Sequence, residues 1–133
     1  MRIETCFLFD LDGTLVDSVY QHVLAWNQAL DAEGISLSVW RIHRKIGMSG
    51  GLFTNQLLRE TGREISDAHV AKLGRLHAEA YGRLSGQIRP LPGAKALLDT
   101  LTAAGIPWAI ATSGRMETAR VKLDALGVDP DRV

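Results

Sequence analysis

The chain has 133 residues, and its 15 Lys plus Arg are balanced by 15 Asp plus Glu. That length suits one domain or a small domain carrying an insertion, and 46% apolar content is enough for a packed core, which excludes a disordered chain. The lack of a basic excess argues against nucleic acid as a partner, no apolar run reaches the roughly 18 residues of a membrane span, and the apolar run nearest the first residue is too short for a signal peptide, so a soluble cytoplasmic protein without a membrane partner is expected.

In chain order, residues 6–9 (Cys-Phe-Leu-Phe) form a continuous apolar run stopped by Asp10-Leu11-Asp12-Gly13. This is the pattern of a fully buried strand in a parallel sheet. A single cysteine, Cys6, rules out an internal disulfide framework or a thiolate zinc cluster, and its place in the run predicts a buried structural thiol. From Asp17 the period becomes helical. Val19, Val23, Trp26 and Leu30 share a face, and Gly34 ends the helix. Ser38 caps a short helix through Ile46, which runs into the loop Gly47-Met48-Ser49-Gly50-Gly51. Further helices are predicted over residues 53–61, ended by Gly62, and from Ser66-Asp67 to Leu84. Residues 16–85 therefore read as all helix.

Pro90-Leu91-Pro92-Gly93 marks a boundary. Residues 94–104 are helical and end at Gly105. Residues 108–111 are a second buried strand, halted at Thr112-Ser113-Gly114, and residues 116–126 form a helix ended by Gly127. Residues 1–15 and 86–133 thus alternate strand and helix around the helical insertion. Strand, crossover helix, strand implies a parallel sheet with right-handed connections. Ligands in such sheets bind beyond the carboxyl ends of the strands, where Asp10, Asp12 and residues 112–114 fall.

Two carboxylates this close repel unless a cation or a shared proton intervenes. A hard divalent ion such as Mg²⁺ suits them. One carboxylate can then attack phosphorus to give an aspartyl-phosphate, while the other exchanges a proton with the leaving or attacking oxygen. An EF-hand loop is excluded, because Thr14 and Gln21 stand where that loop needs an acidic or Asn residue and a Glu. A plain polar turn is the other reading of an isolated Asp-x-Asp-Gly. Glycine-rich dinucleotide and P-loop patterns are absent.

The stretch Phe9-Asp10-Leu11-Asp12-Gly13-Thr14-Leu15-Val16-Asp17-Ser18 resembles the first motif of the haloacid dehalogenase (HAD) superfamily, and Ala111-Thr112-Ser113-Gly114 resembles its second. The helical insertion after the first motif resembles the cap of the phosphoglycolate phosphatase and β-phosphoglucomutase branch. The resemblance spans the whole chain. It implies an α/β fold, a HAD-like Rossmannoid parallel-sheet core with an inserted all-α cap. It also implies a Mg²⁺-dependent phosphatase acting on a small phosphorylated metabolite through an aspartyl-phosphate, with a sugar phosphomutase as the alternative. By the same resemblance Asp10 matches the nucleophile, which also binds Mg²⁺. Asp12 matches the general acid/base, whose backbone carbonyl is a metal ligand. Thr112 matches the hydroxyl residue that holds the phosphoryl group. The amides of Ser113 and Gly114, just ahead of a helix, are placed to bind the same anion. A second Asp at position 12 separates phosphoryl-transfer members from dehalogenases and phosphonatases. The family also requires a third-motif Lys and acidic residues after a later strand, and both fall beyond the helix over 116–126. The core is therefore expected to be incomplete and the chain inactive alone, which keeps a non-catalytic fragment or binding module as a further alternative. Asp124, Asp129 and Asp131 are poor stand-ins, since none follows a strand.

Within the insertion, Gly47, Ser49 and Gly50 are candidate substrate contacts. Mutase members resemble this chain but carry Arg after the Ser, where Gly50 stands, which favours a phosphatase. His22, near the hinge, matches a His of mutase members, as Trp26 matches a Trp; the alternative is an ordinary helix residue. His43-Arg44-Lys45 is a basic cluster that suits either phosphate or a solvated face. His69 and His77 fit no metal spacing with a third ligand, and Trp26, Trp40 and Trp108 are assigned to the core.

Overall fold

A computed structural model describes residues 5–48, 50–63 and 66–132. In chain order the elements are β1 (Phe7–Phe9), β2 (Val16–Asp17), α1 (Val19–Ala32), α2 (Val39–His43), α3 (Gly50–Glu60), α4 (Asp67–Leu84), β3 (Arg89–Pro90), α5 (Ala94–Ala103), β4 (Trp108–Ile110) and α6 (Met116–Leu126), with short 3₁₀ turns after α4 and α6. The chain divides into two compact units, residues 1–18 with 88–133, and residues 19–87. These borders differ from the expected 15/16 and 85/86. The cause is a short ribbon that the hydrophobic pattern did not show. Val16 and Asp17 pair antiparallel with Pro90 and Arg89, so both strands belong to the α/β unit.

In that unit β1 and β4 pair in parallel, with Phe7 opposite Trp108 and Phe9 opposite Ile110. The ladder continues one step, the Ala111 N–H donating to the Phe9 carbonyl at 2.8 Å. Trp108 and Ile110 are buried, and the Trp108 indole N–H donates to Thr102 Oγ1 at 3.0 Å, which satisfies its polar edge. Helix α6 turns Ala119, Lys122, Leu123 and Leu126 inward, and Gly127, at φ +69°, ends it as expected.

Strand β1 corrects the sequence reading. Phe7 is 40% and Leu8 69% exposed, and Cys6 is an exposed free thiol rather than a buried one. Among the described residues β1 has a strand neighbour on one edge only. A parallel strand is buried only when neighbours and helices cover it.

The helical unit has a closed core. Val23, Trp26, Ala29 and Leu30 of α1 meet Ile42 of α2, Phe53, Leu57 and Leu58 of α3 and Leu73 of α4, with Ile35 and Leu37 between the first two helices. Each of these Val, Leu, Ile and Phe side chains contributes roughly 1.5–3 kcal/mol relative to exposure. The Ser66 hydroxyl accepts from the His69 N–H at 3.1 Å and caps α4 as expected. Ser38 stands at the N-cap of α2 without a side-chain cap bond, and α2 stops at His43. So short a helix turns one residue inward, Ile42. Trp40 is consequently 57% exposed rather than in the core, with the guanidiniums of Arg41 and Arg44 over its ring at 5.9 and 5.6 Å. No helix among the described residues is long and apolar enough to cross a membrane.

Candidate active site

The site begins with a tight loop after β1. The Leu11 carbonyl accepts from the amides of Thr14, Leu15 and Val16 at 3.2, 3.0 and 3.2 Å. Gly13 adopts φ +73°, a conformation open to glycine, and its N–H donates to the Val16 carbonyl at 2.9 Å. Leu11 and Leu15, 0% and 2% exposed, pin the loop inward. Asp10, leaving the strand, and Asp12, inside the loop, are thereby held at the carboxyl end of β1.

The two carboxylates differ in surroundings. Asp10 is exposed, and its Oδ1 accepts from the Leu11 N–H at 2.7 Å. The Asp12 side chain is only 19% exposed, and its Oδ1 meets the Lys122 Nζ at 2.7 Å. The Ser18 hydroxyl donates to the same oxygen. Ser18 and Lys122 are both 0% exposed.

The pairing of Phe9 with Ile110 carries Thr112 to the same end of the sheet as Asp10. The Gly114 N–H donates to Thr112 Oγ1 at 3.1 Å, closing a hydroxyl turn. The α6 backbone starts just beyond, where the Arg115 carbonyl accepts from Thr118 and Ala119 at 3.1 and 3.0 Å. Ser113 and Gly114 are exposed and Thr112 is half-buried. Asp10, Asp12 and residues 112–114 thus lie in one unit. Asp124, Asp129 and Asp131 are exposed, and Asp129 Oδ1 accepts from the Asp131 N–H at 3.0 Å.

The other sequence candidates fall in the helical unit. His22 Nδ1 lies 3.3 Å from His77 Nε2. The His22 ring stacks on Tyr81 at 4.3 Å between centroids and His77 on Trp26 at 4.2 Å. Gly47 precedes α3. Gly50 and Gly51, expected in a loop over 47–51 ahead of a helix from 53, instead form the start of α3, and Ser49 lies outside the described residues.

Lys122 was missed by sequence reasoning, which considered a lysine beyond the helix over 116–126 and the cluster His43-Arg44-Lys45 but no cation on that helix itself. The signal was present: residue 122 shares a helical stripe with Ala119, Leu123 and Leu126, and a lysine there must find a buried partner. His77 was set aside for lack of a third metal ligand, and its partnership with His22 across α1 and α4 has no local sequence signature.

For a divalent ion, the chemistry of the donor set fits Mg²⁺. Asp10 and Asp12 offer hard oxygens two residues apart, and the exposed Asp10 carboxylate faces solvent from which waters can complete a shell. Among the described residues no group of three or more His, Cys, Asp or Glu side chains converges, so carbonyl, water and substrate oxygens would supply the remaining positions.

Residues 5–132 match the family model of the haloacid dehalogenase-like hydrolases. The chain belongs to this family. It is 40% identical to hexitol phosphatase A of Escherichia coli (strain K12) over 131 residues, covering 96% of this chain and 56% of that protein. It is 31% identical over 125 residues to phosphoglycolate phosphatase of Agrobacterium fabrum, covering 91% and 53%. A crystal structure of a hydrolase from Pseudomonas syringae superposes with a TM-score of 0.92 at 56% identity, covering 97% of this chain and 59% of that one. The chain therefore spans a little over half the length of these relatives, and its mixed α/β architecture with a parallel strand pair is that of a HAD hydrolase.

Proposed function

We propose that this HAD protein is a Mg²⁺-dependent phosphatase acting on a small phosphorylated metabolite, with the helical unit as the cap that selects the substrate. One observation carries the reading: the parallel register of β1 and β4 sets an exposed carboxylate, Asp10, at the same strand end as the Thr112 hydroxyl turn. The similarity to a hexitol phosphatase and a phosphoglycolate phosphatase supports a phosphate ester of a small polyol, sugar or hydroxy acid as the substrate class.

In this reading Asp10 attacks phosphorus. A bond forms between its carboxylate oxygen and phosphorus as the ester P–O bond breaks, leaving an aspartyl-phosphate. Asp12 gives a proton to the departing alcohol oxygen and then takes one from the water that hydrolyses the acyl phosphate. The Thr112 hydroxyl and the Ser113 and Gly114 amides hold the phosphoryl oxygens. The Asp10 carboxylate and the Asp12 backbone carbonyl would hold Mg²⁺, which when bound would supply positive charge to offset the repulsion between carboxylate and phosphate.

The test is phosphate release from a panel of hexitol phosphates, sugar phosphates, phosphoglycolate and an aryl phosphate, with Mg²⁺ and with chelator, on the longest form in which the chain occurs. Metal-dependent release from at least one ester is expected. No release from any ester overturns the reading, and isomerisation of a sugar phosphate without release turns it into a mutase.

A further inference from the structure

A lysine with no exposed surface needs a reason to be there. Lys122 sits in the middle of α6 with apolar Ala119, Leu123 and Leu126 on the same face, where an uncharged side chain of similar volume would pack at no electrostatic cost. Burying an ammonium is costly unless it is paired, and a buried ion pair is often no more stabilising than an apolar replacement. Its partner is the second aspartate of the acidic loop, through Asp12 Oδ1 at 2.7 Å. Ser18, equally buried, donates to the same oxygen. The two donors come from chain positions more than 100 residues apart, one at the end of the first motif and one on the helix that follows the second.

We propose that Lys122 is a positioning residue for Asp12: with Ser18 it clamps Oδ1 and so fixes the orientation of the carboxylate that moves the proton. This rests on the acid/base reading of Asp12 given above. Rotation of the Asp12 side chain breaks both bonds at once, so the clamp restricts it more than either donor alone. The arrangement also ties the two motifs together, because α6 starts directly after the Thr112 turn. A displacement of the turn is felt at Asp12 through the helix that carries Lys122. Lys122 is 0% exposed and acts through Asp12, so its effect is expected on the chemical step, with binding of the ester nearly unchanged.

The experiment has a kinetic arm and an arm independent of turnover. Lys122→Met is expected to lower kcat by about 10- to 100-fold with KM changed less than about threefold, and Lys122→Arg to recover part of the loss. Ser18→Ala should shift kcat in the same direction by less. In an Asp12→Asn background, Lys122→Met should cost nothing further, since the residue it positions is gone. For the second arm, the Lys122 ammonium should give a slowly exchanging ¹⁵N-resolved NMR resonance that disappears in Asp12→Asn. Equal losses from Lys122→Met with and without Asp12, a change confined to KM, or a resonance indifferent to Asp12→Asn each overturn the proposal. If Lys122→Met does not fold, Lys122→Arg and Ser18→Ala carry the kinetic comparison. If the parent hydrolyses no ester, the phosphatase reading falls by itself, and the resonance still decides whether Lys122 holds Asp12.

Discussion

The core of the helical unit and strand β1 of the α/β unit treat apolar residues in opposite ways. In the helical unit Leu57 and Leu58 of α3 and Leu73 of α4 are all 0% exposed. In the α/β unit Leu8, in an equally apolar run, is 69% exposed. The difference lies in how the two kinds of element are satisfied. A helix closes its backbone hydrogen bonds internally and presents one stripe to be covered, which three or four neighbouring helices achieve. A strand needs partners on its edges for hydrogen bonding and layers on its two faces for burial. The core of the helical unit is thus covered by its own helices, although Leu52 and Trp40 at its surface remain 61% and 57% exposed, whereas strand β1, which leads into the acidic loop, keeps Phe7 and Leu8 uncovered.

Asp10→Asn is the severest test of that division, because an amide cannot attack phosphorus. Turnover and phosphoenzyme formation should fall to background, as read by phosphate release and by trapping of labelled protein, while the helical unit keeps its fold by circular dichroism. Asp12→Asn should slow turnover by about 10²-fold; a loss of only a few-fold assigns Asp12 a structural role. The packing contrast predicts a third pair of outcomes, read from urea midpoints. Leu57→Ala should cost about 2–5 kcal/mol, whereas Leu8→Ala should stay within about 0.5 kcal/mol. Similar costs for the two would break the comparison.

The smallest expected effect is a pH dependence confined to the helical unit. Glu33, just past the end of α1, has its carboxyl held below the ordinary value of 4.5, chiefly by its hydrogen bond with Lys72, with added attraction from Lys72 and His69 acting against partial burial. The Lys72 ammonium lies 2.8 Å away. A carboxyl lowered in the folded state contributes stability above its unfolded value and loses it as pH falls through the folded one. The urea midpoint of Lys72→Met should therefore lie slightly below the parent at neutral pH, and the gap should close as pH drops below 4.5.

Much of the site could be read directly. Phe9 to Ser18 announces the acidic loop, whose tight closure around Gly13, with Leu11 and Leu15 turned inward, appears only in the structure. The Thr112 turn stood out because an apolar strand ended in small polar residues. The stripe of Val23, Trp26 and Leu30 sufficed to bury α1. What could not be read was any contact between distant chain positions. The burial of β1 depends on neighbours that no residue within it specifies, so Cys6 and Leu8 were placed inside. Trp40 was assigned to the core, whereas the short helix α2 turns Ile42 inward instead. Lys122 and Asp12 meet because β4 and α6 fold back onto the acidic loop, and neither residue's immediate neighbours encode the other.

The ribbon formed by β2 and β3 has a consequence for how such a chain can change over time. Asp17 and Arg89 are paired across an antiparallel ladder, where facing α-carbons lie only about 4.5–5.5 Å apart. The chain thus departs for residues 19–87 and returns at almost the same point, and a two-residue turn of the Asn-Gly type would span the gap. Closing a flexible excursion costs only slightly more when it is long than when it is short. The α/β unit therefore contains a latent hairpin whose tip serves as a splice site: segments of very different length can be gained, lost or exchanged there by recombination while the acidic loop and the hydroxyl turn keep their places.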